Sequence, residues 1–235
     1  AEILTDSQNL HWSAEEARRI YGETIPAPNQ HKYEVKKQPV GVVGAITPWN
    51  FPSNMIVRRI APAIAAGCTV ILKPASSTPL SAIAIFEIFH EVGLPAGVAN
   101  LIVGPSSKIG KTLTDSNDVR KLTFTGSTEV GKMLYEQSAQ TMKKISFELG
   151  GHAPFIVFED ADIEDAVETL VAMKFRNNGQ ACTSPNRIFV SKAIKQEFVE
   201  QLSAAVEKVT VGNGLDDVMA GPLINGEAVE TVQAQ

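Results

Sequence analysis

The run VGVVGAITPWNFP (40–52), continued by SNMIVRRIAPAIAAG (53–67) and TVILKP (69–74), decides the fold. Its opening VGVVGAI (40–46) is short, apolar and rich in Val and Ile, the composition of a buried strand, and the prolines of TPWNFP stiffen the turn that follows. The next segment has helical length and closes at Gly67, with Pro62 expected to kink it, and TVILKP is the following strand. The same alternation continues through a helix at 79–93, a strand ANLIVG (99–104), a helix at 106–116, a strand VRKLTFTGS (119–127), a helix TEVGKMLYEQSA (128–139) and a strand KKISFEL (143–149). Repeated β-α units of this kind predict an α/β fold with a mainly parallel sheet. Beyond Gly150-Gly151, where consecutive glycines free the backbone for a change of direction, PFIVF (154–158) reads as a strand. A helix from Asp162 keeps Ile163, Ala166, Val167, Leu170, Val171 and Phe175 on one face and ends at Asn177-Asn178-Gly179. NRIFV (186–190), a helix from Ala193 and the turns of GNGLDD (212–217) complete the pattern.

With 235 residues, the chain is long enough for one to two domains at roughly 150 residues each. Hydrophobic residues at 44%, charged residues at 20% and a mean hydropathy of +0.01 exclude a disordered or collagen-like chain. A net charge of −5 with scattered Lys and Arg pairs argues against nucleic acid as a partner. No apolar run reaches the roughly 18 residues of a membrane span, and the first residues lack the grammar of a signal peptide, so no membrane partner and a cytoplasmic location are expected. The two cysteines are too few for a disulfide scaffold or a thiolate metal site, so no metal is expected. The non-Met start and unclosed end suggest a fragment.

Cys182 lies in the polar loop GQACTSPNR (179–187), where a thiolate can meet a substrate, whereas Cys68 lies in an apolar run where small core residues belong. Among the histidines only His152 falls near such a site, so a Cys–His hydrolase is a weak reading. Glu148 ends a strand before the double glycine, at the edge where α/β sheets bind their ligands; it reads as a general base or as a solvated carboxylate. Gly126-Ser127-Thr128 joins a strand to a helix, where free N–H groups and the helix dipole suit an anion, although such junctions also serve only to cap helices. Lys73 and Ser76 offer a cation and a hydroxyl to a ribose or phosphate, and Asn50 offers an amide donor beside Trp49.

Together, ITPWNFP, VILKPAS, FTGSTEVG, ELGG and GQAC, in this order, resemble the NAD(P)-dependent aldehyde dehydrogenase superfamily from about Arg19 to Val232. WNFPSNMIVRR, KPASSTP, ELGGHAPFIVF, KFRNNGQAC and GPLINGEAV are most similar to its succinate-semialdehyde dehydrogenases. The resemblance implies a Rossmann-type cofactor domain over 1–149, lacking its N-terminal part, and the beginning of an α/β catalytic domain over 150–235. It implies that Cys182 is the nucleophile, that Asn50 helps hold the oxyanion and that Glu148 activates water. Thr47, Trp49, Lys73, Gly126, Ser127 and Leu149 match cofactor contacts, and Ser76, where NAD-preferring relatives carry an acid, implies NADP with NAD as a further cofactor.

Arg58 matches an arginine that binds the distal carboxylate of a semialdehyde, and it and Arg59, about 100° apart on a helix, are not expected to face one pocket together. The implied reaction is oxidation of a small semialdehyde, succinate semialdehyde first, to its carboxylate by a full-length homo-oligomer. The alternatives are a truncated chain without turnover and a dehydrogenase for another small polar aldehyde. Ser184 replaces a second cysteine found in many relatives, so a local disulfide at the nucleophile is not available. Pro185 is unusual in this loop.

Overall fold

The computed structural model describes residues 2–28 and 30–234. In chain order the elements are α1 (Glu2–Ala17), β1 (Glu23–Pro26), β2 (Lys32–Val35), β3 (Val42–Ile46), α2 (Asn54–Ala65), β4 (Thr69–Lys73), α3 (Leu80–Glu91), β5 (Ala99–Leu101), α4 (Ser106–Asp115), β6 (Val119–Gly126), α5 (Thr128–Ala139) and β7 (Lys144–Leu149). They are followed by β8 (Pro154–Val157), α6 (Ile163–Phe175), β9 (Arg187–Val190), α7 (Lys195–Val206) and α8 (Gly226–Ala234). The chain divides into two compact units, Ala1–Leu149 and Gly150–Gln235.

In the first unit five strands form one sheet in the order β5-β4-β3-β6-β7, and every pairing is parallel. The chain builds outward from β3 to β5 and then returns to β6, so the strand order reverses at β3. Alternation of side chains along each strand separates two cores. Val43 and Ala45 of β3 and Val70 and Leu72 of β4 pack with Ile56 and Ile60 of α2 and Ala82 of α3. Leu122 and Phe124 of β6, on the opposite face, pack with Ile109 and Leu113 of α4 and Leu134 of α5. The strands between them are apolar on both faces because both are covered, which is why the sequence shows continuous apolar runs. Gly67, at φ 77°, turns the chain out of α2 in the left-handed conformation that glycine adopts without strain. Helix α2 continues through Pro62, whose ring nitrogen has no hydrogen to give the carbonyl four residues back.

The second unit is a β-α-β motif: β8 and β9 pair in parallel, joined through α6. Val157, Val167, Leu170, Val171 and Phe198 of α7 form its core. Asp162 caps α6 by accepting from the Asp165 N–H at 3.2 Å, and Asn177 and Asn178 end it in left-handed conformations. Helix α7 begins at Lys195 rather than Ala193, because Ser191 to Ile194 first close a turn. No helix among the described residues is long and apolar enough to cross a membrane.

Two features of the first unit have no counterpart in the sequence reading. The hairpin β1–β2 is antiparallel and fully exposed, so it lacks the half-apolar alternation that marks a covered strand. Helix α1 buries only Asp6 and leaves Ile3, Leu4 and Trp12 exposed, so no apolar stripe announces it. Polar contacts fix it instead: Glu2 accepts from the Ser53 and Asn54 N–H groups at 2.8 and 2.6 Å, capping α2 from outside. Asp6 accepts from the Ser53 hydroxyl and from Asn54 Nδ2, the latter at 2.6 Å. Asp6→Ala leaves two buried donors without a partner and is expected to lower stability by about 1–3 kcal/mol; urea denaturation of the two proteins measures it, and an unchanged midpoint would contradict the capping role.

Candidate active site

Open parallel sheets bind ligands beyond the carboxyl ends of their strands where the strand order reverses, which here means the ends of β3 and β6. At the end of β3 the Thr47 N–H donates to the Lys73 carbonyl at 3.1 Å, which extends the ladder between β3 and β4 by one residue. The Thr47 hydroxyl is buried without a partner among the described residues. Trp49 and Asn50 follow in the half-buried turn, whose far end is the N-terminus of α2 held by Glu2 and Asp6.

Lys73 ends β4 with only 4% of its surface exposed, and its Nζ donates to Ser106 Oγ at 2.7 Å. Burial pushes its pKa below the ordinary lysine value, since the ammonium has a neutral hydroxyl rather than an anion for company. Ser106, the first residue of α4, is a partner of Lys73 that the sequence did not point to; it sits one residue after a proline at a helix start, a pattern that reads as capping. Ser76 is exposed in the loop after β4.

At the end of β6, a side chain on Gly126 would bring its Cβ to 2.4 Å from the Phe124 ring. Packing of that ring therefore demands glycine here, whatever binds nearby. Ser127 caps α5, its hydroxyl accepting from the Val130 N–H at 3.3 Å. Glu129 in the first turn is held below the usual carboxylate range by its own backbone N–H and by Ser127. Leu149 turns its side chain into the core, where a Cβ on Gly131 of α5 would meet it at 2.5 Å. Among the described residues, a buried hydroxyl without a partner at Thr47, a buried cation without a counter-charge at Lys73 and a helix start at Ser127 are a donor set that fits a dinucleotide.

The opposite face of β6 and β7 is polar. Arg59 of α2 lies across it, donating through Nε and Nη2 to Thr125 Oγ1 at 3.1 and 2.7 Å, with Nη2 3.8 Å from Glu148 Oε1. Burial lowers the Arg59 pKa, Glu148 opposing and Arg58 reinforcing the shift. Arg58 is exposed. A cavity of about 360 Å³ opens on this face, with Arg58, Arg59, Lys121, Lys144 and Ser146 in its lining. Both arginines reach it, because long side chains that diverge at the helix can converge at a rim. The contact between Arg59 and Glu148 was not visible in the sequence, where 148 and 59 are distant and on different elements.

In the second unit Cys182 is exposed on a turn closed by the Ser184 N–H donating to the Ala181 carbonyl at 3.1 Å. Ser184 and Pro185 are both almost completely buried, and the Ser184 hydroxyl finds no partner among the described residues. Pro185 is thus an apolar anchor of the loop. Beyond it, the Asn186 N–H donates to the His152 carbonyl at 2.9 Å and Asn186 Oδ1 accepts from Lys174 Nζ at 2.7 Å. His152 contributes its backbone to the loop. Cys68, the other thiol, is buried in the core of the first unit.

The sheet defines a doubly wound α/β protein with a polar rim at its switch point, and the β-α-β unit adds an exposed thiol on an anchored turn. The chain belongs to the aldehyde dehydrogenase family, whose sequence profile matches residues 1–235. It is 53% identical over 234 residues to a glutarate-semialdehyde dehydrogenase of Pseudomonas putida, covering 99% of this chain and 49% of that protein. It is 52% identical over 234 residues to an NADP(+) succinate-semialdehyde dehydrogenase of Escherichia coli, covering 99% of this chain and 48% of that protein. The chain thus spans about half the length of these curated relatives. A crystal structure of an NADP-dependent enzyme of E. coli matches 99% of this chain and 49% of its own with a TM-score of 0.97 and 51% identity.

Gly126→Ala forces the Phe124 ring out of its place in the core and is expected to cost about 1–3 kcal/mol of stability as an overpacked site. Chemical denaturation monitors it; a variant as stable as the parent would show that the ring moves freely.

Proposed function

We propose that the protein carrying this chain oxidises a small semialdehyde with a distal carboxylate, such as succinate or glutarate semialdehyde, using NADP, with NAD also accepted. The observation that carries the reading is the exposed Cys182 thiol on a turn anchored by buried Ser184 and Pro185, in a chain about half identical to semialdehyde dehydrogenases. In this reading residues 1–149 are the cofactor-binding part and residues 150–235 begin the catalytic part.

The Cys182 thiolate adds to the aldehyde carbon, forming a C–S bond while the carbonyl electrons move to oxygen. The Asn50 amide and the Cys182 backbone N–H donate to that oxyanion. A bound nicotinamide dinucleotide supplies the hydride acceptor for the oxidation. Once the thiohemiacetal has lost its hydride, a thioester remains on Cys182. Glu148 takes a proton from water, the hydroxide adds to the thioester, the C–S bond breaks and the carboxylate leaves with the thiolate restored.

Thr47, Trp49, Gly126, Ser127 and the backbone of Leu149 line the dinucleotide in this reading, and Lys73 with Ser76 receives the 2′-phosphate. Arg58 receives the distal carboxylate. It suits that role better than Arg59, whose guanidinium is engaged by Thr125.

Three outcomes follow. Cys182→Ala abolishes NADP-dependent oxidation, and a variant that retained it would defeat the thioester route. Arg58→Ala raises KM for the semialdehyde about 10–100-fold, as expected for one lost charge-assisted contact, and leaves an uncharged aldehyde of equal length unaffected; equal effects on both would remove Arg58 from the substrate site. Because burial lowers the Lys73 pKa, the ammonium loses its proton at a lower pH than a free lysine. Affinity for NADP should therefore fall on raising the pH before affinity for NAD does, and parallel titrations of the two would refute the contact with the 2′-phosphate.

A further inference from the structure

We propose that Asn178 and Gln180 are positioning residues for the Cys182 thiol, fastening its loop to the segment 221–224. The idea rests on the reading of Cys182 as nucleophile, and it gives a task to the GPLI stretch that the chemistry above leaves without one. The loop leaves α6 through three successive left-handed residues, Asn177 (φ 50°), Asn178 (φ 58°) and Gly179 (φ 76°). Asparagine tolerates this conformation better than other residues with a Cβ, so two asparagines and a glycine suit the path.

At Asn178 the side chain does a second thing. Its Nδ2 donates to the Pro222 carbonyl at 2.9 Å and its Oδ1 accepts from the Gly221 N–H at 3.0 Å. One amide thereby pairs with a donor and an acceptor of the facing backbone. Two residues on, Gln180 Oε1 accepts from the Ile224 N–H at 3.0 Å, while its Nε2 turns back to the Asn177 carbonyl at 3.1 Å. The facing segment is itself held in place. Ala220 is buried, its N–H donates to the Thr210 carbonyl at 3.0 Å, and its carbonyl accepts from the Gly212 N–H at 3.0 Å.

The exposed thiol is thus bracketed. On its C-terminal side the loop is anchored by buried Ser184 and Pro185, and on its N-terminal side by the two side-chain amides. Removing the N-terminal bracket leaves the turn around Cys182 tied at one end only, and its sulfur no longer has a fixed direction of approach.

The test uses the whole 235-residue chain. Asn178→Gly keeps the left-handed backbone and deletes both hydrogen bonds, whereas Asn178→Asp keeps the acceptor for Gly221 and deletes the donor to Pro222. Alanine is unsuitable, since it would add backbone strain at the same position. Hydrogen exchange read by mass spectrometry should accelerate about tenfold in peptides covering 177–184 and 219–224 together in the glycine variant, and about threefold in the aspartate variant, with α6, β8 and β9 unchanged.

Alkylation of Cys182 by iodoacetamide should quicken in the same order, with buried Cys68 as the unreactive internal control. Should the glycine variant fail to fold, Gln180→Met, which deletes the acceptor for Ile224, carries the same measurements. The proposal is overturned if exchange is unchanged in either segment, if it rises across the whole unit, if Gly and Asp behave alike, or if alkylation stays constant while exchange rises. A Cys182→Ala protein that still oxidised aldehyde would sink the nucleophile reading and leave the exchange result standing, so the two failures are distinguishable.

Discussion

The first unit depends on the parallel pairing of β3 with strands on both sides of it. Val42 to Ile46 align with Thr69 to Lys73 on one flank and with Val119 to Phe124 on the other, so β3 has no free edge and both its faces are covered. A parallel strand needs a crossover to reach its neighbour, and each crossover here is a helix that must bury an apolar face on the sheet. The strand order, the two cores and the polar rim at the end of β3 are consequences of that one position. Residues at the rim inherit their placement from the ladder. Thr47 is fixed because its N–H continues the bonding between β3 and β4, and Lys73 is fixed because it is the partner of Ile46 in that register.

The same constraint explains why polar groups sit where burial disfavours them. A lysine that ends a central strand cannot extend into water past the adjoining helices, so Lys73 turns to Ser106 and its charged form becomes harder to maintain. Arg59 is similar: α2 lies along the sheet, and the side chain on its inner flank meets the polar face of β6 and β7, where Thr125 accepts from it. Each group donates to a neutral hydroxyl, and Arg59 also has Glu148 Oε1 3.8 Å from its Nη2. Lys73, with no ion pair among the described residues, keeps the attraction for an anionic ligand that an internal salt bridge would weaken.

Much of this was legible because burial and periodicity coincide. The strands from VGVVGAI to KISFEL, the helices between them, the start of α6 at Asp162 and its Asn-Asn-Gly terminator all follow from local pattern, and the structure places them within a few residues. The exposed thiol of Cys182 and the buried one of Cys68 were likewise separable from the polarity of their neighbours. What was hidden depends on contacts between distant residues. Helix α1 is held by two carboxylates on the N-terminus of α2 and shows no apolar stripe; β1–β2 is exposed throughout; the partnerships of Lys73 with Ser106 and Arg59 with Glu148 join residues that no spacing rule relates. The family motifs name candidate site residues without revealing what supports them.

Departures from local rules gather around the thiol. Of the five non-glycine residues with positive φ among those described, Ala153, Asn177 and Asn178 lie either in the loop before Cys182 or next to His152, whose carbonyl holds Asn186 after it. The buried Ser184 hydroxyl without a partner lies in the same stretch. Left-handed backbone at an alanine and an unpaired buried hydroxyl each cost about 1–3 kcal/mol, so a loop left to itself would relax out of this shape. It does not relax, because bonds from outside the loop hold it: Lys174 to Asn186, Asn178 to Gly221 and Pro222, and Gln180 to Ile224. The thiol thus sits on a locally unfavourable backbone fixed by distant partners, a conformation that persists only where surrounding bonds over-determine it.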